Sequence, residues 1–286
     1  MKKTLALLFI MPIILYGQSD REGELKKAKE LFYHGKYKEA QLIVDEIREG
    51  NIRDSTYYGA IMESTNLLFA QSRCDWDAEI NNQKELCIGF PNYKGHFLSK
   101  IGRLTMFKSG DYDQTKEILL QAIALDTSYD KRNLNMAFYL LPLYAAYSGH
   151  YQEAIHYFNL YSPKRLTKDQ MGDFPLVIAY YRLGIYDSAK KYIDSEIVKV
   201  YDSDNKLEIY YYTAMIYHKL GNDSIASNYI DLASNTIGKF GDVDIFYMQK
   251  DSGRKSKKRY MHSWIYKKNA AMKLDIERTK HSWSMK

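Results

Sequence analysis

Cysteine and proline are scarce in this chain. Its 286 residues hold two Cys and five Pro, which excludes a disulfide-stapled scaffold and most structural zinc sites. Sixteen glycines are too few for long flexible linkers. After the first seventeen residues, no apolar run approaches the ~20 residues that a membrane-spanning helix needs. The recurrent catalytic motifs are missing too: there is no H-E-x-x-H, no G-x-S-x-G elbow and no G-x-x-x-x-G-K-[ST] loop. The seven histidines (His34, His96, His150, His156, His218, His262 and His281) fall outside any zinc-ligand spacing. Asp202-Ser203-Asp204-Asn205 begins like a calcium loop. However, Lys206 stands at the third ligand position and the required glycine is absent, so a helix-entry turn is the better reading. The chain is therefore expected to be non-enzymatic, with no metal and no cofactor.

What is present begins with an address. Residues 1–17 read MKKTLALLFIMPIILYG: two lysines, then an uncharged apolar run, then small Gly17 ahead of polar Gln18. That is the layout of a secretory signal peptide, and the run is short for a membrane span; the alternatives are an uncleaved anchor or a buried helix. No cysteine follows it, which argues against a lipid-anchored start. The expected location is exported, in the periplasm or associated with the outer membrane. Cys74 and Cys87 are placed at a turn and near the far end of the next helix, too far apart for a disulfide.

The rest of the chain resembles itself. KYKEAQLIV (36–44), DYDQTKEIL (111–119), HYQEAIHYF (150–158), IYDSAKKYI (185–193) and NDSIASNYI (222–230) each follow a glycine: Gly35, Gly110, Gly149, Gly184 and Gly221. A degenerate copy, with Cys74 in the glycine's place and Trp76 in the aromatic's, fills the one double gap. An aromatic two residues past the turn recurs in Tyr37, Trp76, Tyr112, Tyr151 and Tyr186, with Asp223 the exception. A small residue five past it recurs in Ala40, Thr115, Ala154, Ala189 and Ala226, with Glu79 the exception. Small residues suit a close helix crossing, glycine suits a left-handed helix end, and thin hairpins must stack to bury their faces. Pro142 inside a helix over 134–148 should kink it. Asp126, Ser162 with Pro163, and Asp202 with Asp204 mark loops between repeats.

These residues resemble the tetratricopeptide repeat family, whose unit is a helix–turn–helix of about 34 residues. The resemblance covers roughly residues 24–237. It implies an all-α, right-handed superhelical solenoid of about six repeats over 18–240, with turns near 35, 74, 110, 149, 184 and 221. It implies further that the first helices of the repeats line a concave face. By analogy with the family, that face includes Tyr139, Leu143 and Tyr147; then Phe174, Ile178, Tyr181 and Arg182; then Tyr211, Met215, His218 and Lys219. The 27 tyrosines suit such a thin, half-covered stack, although tyrosine is also enriched at recognition surfaces.

Residues 241–286 form a basic helical cap or tail. From Lys250 onward there are twelve Lys or Arg, including Arg254, Lys255, Lys257, Lys258, Arg259, Lys267 and Lys268, against three acids. That segment is +9 in a chain of net +6, so residues 1–249 carry −3. Met261, Ile265, Met272 and Ile276 share one side of a helix expected over about 254–280, with Trp264 beside them. This helix reads as a solenoid cap, as a helix lying on an anionic membrane surface, or as a contact for an acidic protein or for the chain's own solenoid. Nucleic acid is not expected as a partner of an exported protein. Two functions follow. The first is a protein-interaction scaffold of the cell envelope that takes a peptide or partner protein on its concave face. The second is a peripheral envelope adaptor held through the basic helix.

Overall fold

The computed structural model describes residues 20–50, 52–70, 75–125, 131–161, 173–197, 206–240 and 264–284. Among the described residues there are thirteen α-helices and no strand. They are α1 (20–33), α2 (Tyr37–Glu49), α3 (Ser55–Ala70), α4 (Trp76–Gly89), α5 (Lys94–Ser109), α6 (Tyr112–Ala124), α7 (Lys131–Tyr147), α8 (Tyr151–Tyr161), α9 (Phe174–Arg182), α10 (Tyr186–Ile197), α11 (Lys206–Lys219), α12 (Asp223–Phe240) and α13 (Trp264–Ser284). A single 3-10 turn, Pro91–Tyr93, leads into α5.

Consecutive helices pack against each other from α2 to α12, and α5, α7, α9 and α11 also touch in series, as the first helices of stacked hairpins must. The fold is a superhelical solenoid of helix–turn–helix repeats. Each hairpin turns at a glycine the repeat pattern marks. Gly35, Gly110, Gly149, Gly184 and Gly221 all have φ between 72° and 87°, where a Cβ would be strained. At four of these turns the amide just past the glycine reaches back to a carbonyl five residues earlier, as in Ile185 N to Tyr180 O at 2.9 Å and Asn222 N to Tyr217 O at 2.8 Å. This is the Schellman closure, and it satisfies carbonyls the ending helix would otherwise leave open. Cys74 and the loops marked by Asp126, Ser162–Pro163 and Asp202–Asp204 lie outside the described residues. Cys87 sits near the end of α4 as a free, half-buried thiol.

Packing follows from the repeat positions. Ala40, Thr115, Ala154, Ala189 and Ala226 are fully buried at the helix crossings, and Val44, Leu119, Ile193 and Ile230 are buried one turn further on. The degenerate second copy solves the same problem with polar groups. Gln83 replaces the bulky apolar residue and is buried. Asn82 and Ser64 are buried beside it, bridged by the Arg48 guanidinium at 3.0 and 2.9 Å. Burial pushes the Glu79 carboxyl up, against the pull of Arg103 and Lys100. The apolar core divides there: one continuous core runs from Met106 to Ile276, while α1–α3 and α3–α5 hold small separate clusters. α7 runs helical through Pro142, which is buried.

The tyrosines divide their two ends between these environments. Their rings fill space between helices, while hydroxyls donate to carboxylates: Tyr57 to Glu85 at 3.1 Å, Tyr112 to Glu153 at 3.0 Å and Tyr217 to Asp194 at 2.9 Å. A ring that is buried while its hydroxyl is paired costs little to desolvate.

Candidate partner-binding groove

The described part of the basic segment is α13, a helix of 21 residues, about 31 Å long at ~1.5 Å per residue. It extends four residues past the end expected from sequence. It begins against the α5–α6 turn, where the Trp264 ring lies over Gly110 so closely that a Cβ on that glycine would stand 2.2 Å from Trp264 Cδ1. It ends on the last hairpin, where Trp283 lies over His218 with ring centroids 4.6 Å apart and Lys280 meets Asp231 at 2.9 Å. Between those ends it crosses the concave side of the third to sixth repeats.

It meets that face along one edge, and its end packs on α12, the second helix of the last hairpin. Tyr147 is the last residue of α7, Arg182 the last of α9, and His218 lies one residue from the end of α11. Glu208, by contrast, lies in the first turn of α11 and Tyr211 one turn further on, so the floor combines the C-terminal turns of α7 and α9 with the N-terminal half of α11.

The central contact is ionic and aromatic together. Lys268 pairs with Glu208, and each side chain is no more than 15% exposed. The same ammonium stands 3.9 Å from the centre of the Tyr147 ring, where the π face attracts a cation. The Tyr147 hydroxyl donates to the other Glu208 oxygen, so one carboxylate orients both partners. Burial first, and then the Glu208 charge, pushes the Tyr147 phenol well above its ordinary value. Next along, the Tyr211 hydroxyl donates to Asp275, and burial together with that bond raises its pKa as well. Burial pushes Tyr212 up to about 12, with Arg182 and its hydrogen bond opposing. A half-open cleft of about 440 Å³ remains between α13 and the floor, lined in part by Ile178, Arg182, Tyr212, Met272 and Arg278.

The residues assigned to the concave face by analogy divide in two. Tyr147, Ile178, Arg182 and Tyr211 come together against α13, and His218 meets its end. Tyr139, Leu143 and Phe174 are buried among the repeats; Phe174 packs edge-on to Tyr212 at 5.7 Å. Tyr181 is half-buried between Tyr186 and Tyr212, Met215 is half-buried against the core, and Lys219 is exposed. In the tail Lys267 faces outward while Lys268 faces the groove. Arg254, Lys255, Lys257, Lys258 and Arg259 lie outside the described residues. Sequence reasoning missed Glu208, Tyr151 and Asp275. Its only available signal for Glu208 was an acid in the first turn of a concave helix.

Among the described residues no cluster of His, Cys, Asp or Glu is arranged to hold a metal ion, and no helix is long and apolar enough to cross a membrane. In comparisons with known proteins the chain is similar to the solved structure of Pseudomonas aeruginosa PilF. The TM-score is 0.56 at 14% identity, over 80% of this chain and 96% of that one. At that identity the likeness is one of fold, and the fold shared is the tetratricopeptide-type helical solenoid. No family model matches the chain, and no curated protein matches it in sequence.

Proposed function

We propose that this protein is a non-enzymatic protein-interaction scaffold of the cell envelope, which takes a helix or peptide of a partner protein on the concave face of its repeats. The observation that carries this reading is the seating of α13: the groove between the third and sixth repeats accepts a helix lengthwise, with a buried ionic anchor in the middle and aromatic contacts at both ends. Export rests on the signal-like residues 1–17. The adaptor reading, in which the basic helix lies on a membrane, is less well supported for residues 264–284. Ile276 is fully buried on the solenoid, and Trp264, Met272 and Trp283 pack there too, so the apolar stripe that would enter lipid is already in use.

The test is site-specific photo-crosslinking in cells. A crosslinking residue at Arg182, exposed on the concave edge, should trap one discrete partner protein. The same residue at Leu160, exposed on a second helix of a repeat, should trap none. Equal trapping from both positions, or from neither, would reject the groove as the binding face.

A further inference from the structure

The seating of α13 also says what kind of partner fits. We infer that the concave edge is a lysine-anchored receptor for a basic amphipathic helix of a partner protein, and that α13 is a tethered competitor which must leave before that helix binds. The inference rests on the scaffold reading above.

The first support is the contact pattern. Trp264, Lys268, Met272, Ile276 and Lys280 meet the solenoid at intervals of four residues, and Asp275 and Trp283 meet it three residues beyond Met272 and Lys280. Positions three and four apart define one face of an amphipathic helix, so the groove takes a helix lengthwise along one face. The main row of that face reads aromatic, lysine, Met or aliphatic, aliphatic, lysine.

Charge is the second support. The solenoid side is mildly acidic and the tail strongly basic. Glu208 and Asp231 are the acids that receive lysines of α13. An acidic helix would set a carboxylate against Glu208 in a half-dry site, which is costly.

The third support is the looseness of the fit. Repeat crossings are closed by fully buried alanines, but a half-open cleft of about 440 Å³ remains alongside α13, and Trp264, Met272 and Trp283 stay only partly covered. Its buried ionic hold is Lys268 on Glu208, whereas Lys280 meets Asp231 where both side chains are about half exposed and the pair contributes little. This is the packing of a docked ligand held at high local concentration by its tether. Tethers of this kind give effective concentrations of the order of mM, so an α13 of about micromolar intrinsic affinity weakens binding of a free helix by roughly a thousandfold.

The experiment uses the full chain and a fluorescent synthetic peptide of residues 264–284 as the probe, read by anisotropy. The wild-type chain should bind the probe weakly. A full-length variant with Lys268→Glu and Ile276→Asp, whose own α13 cannot dock, should bind it at least a hundredfold more tightly. A probe carrying Lys268→Ala should bind that variant at least tenfold more weakly than the native probe. Equal affinity for the wild-type chain and the variant, with both melting normally, overturns the inference. So does loss of the lysine requirement, or binding only through a second copy of the chain. Should the variant fail to fold, a protease site placed within 241–263 of the otherwise native chain gives the second reading. After cleavage, excess probe should exchange with the resident helix, and a resident helix that never exchanges overturns the inference. Failure here with a groove crosslink still formed at Arg182 removes only the competitor role; failure of both removes the scaffold reading as well.

Discussion

At the residue scale, the five turn glycines have one backbone conformation and two different surroundings. Gly184 has φ of 77° and open space where a Cβ would project; Gly110 has φ of 72° and the Trp264 ring in that space. Gly184→Ala should therefore cost only left-handed strain, about 1–2 kcal/mol, and leave α13 in place. Gly110→Ala carries similar strain and also evicts Trp264. Its tryptophan emission should shift to the red in the native state, while that of Gly184→Ala should not. Identical spectra would show that Trp264 does not rest on that turn. The glycines were legible in the sequence because turn chemistry is local, and so were the buried alanines at the crossings. Glu208 was not, because its meaning depends on a lysine sixty residues away.

At the scale of elements, α13 is held by tyrosines as well as by lysines, and this sets a pH dependence. Tyr147 and Tyr211 each donate a proton to a carboxylate, and both have pKa values raised above 10.0. An undocked or unfolded chain loses those protons near the ordinary value, whereas the docked one keeps them. Above pH 10 the unfolded state thus binds fewer protons than the native state, and stability falls. The contribution is fully present below pH 10 and is lost as pH rises through the raised values. The melting midpoint should be level from pH 8 to 10 and then decline, and Tyr211→Phe should make the decline shallower. A midpoint unchanged to pH 12 would contradict the pairing. The existence of α13 could be read from helical periodicity. Its seat could not: the expected stripe of Met261, Ile265, Met272 and Ile276 treats every lysine as solvent-facing, and only the three-dimensional groove shows Lys268 to be an anchor. The analogy with the repeat family named the first helices; the side chains meeting α13 come from the ends of α7 and α9, from the N-terminal half of α11, and from Asp231 on α12.

At the scale of the whole molecule, the period of the repeats predicted the architecture because a stack of hairpins is nearly one-dimensional, so each unit needs only its neighbours. The break in the core at the second copy was visible as Glu79 and Gln83 at positions that elsewhere are small and apolar. The structure adds the consequence that the apolar clusters of the first two hairpins are separate from the long core, although α4 packs on α5 and Trp76 meets Phe107 edge-on.

A solenoid is mechanically a spring, since small rotations at each hairpin add up over its length. The helix that crosses from Gly110 to Asp231 bridges four successive hairpins of that spring. Untying it should leave every hairpin folded yet lengthen and soften the array. Small-angle scattering of the Lys268→Glu/Ile276→Asp chain should then give a larger radius of gyration than the native chain, with unchanged helical circular dichroism. A change of stiffness at the third repeat would then alter the spacing of the hairpins beyond it.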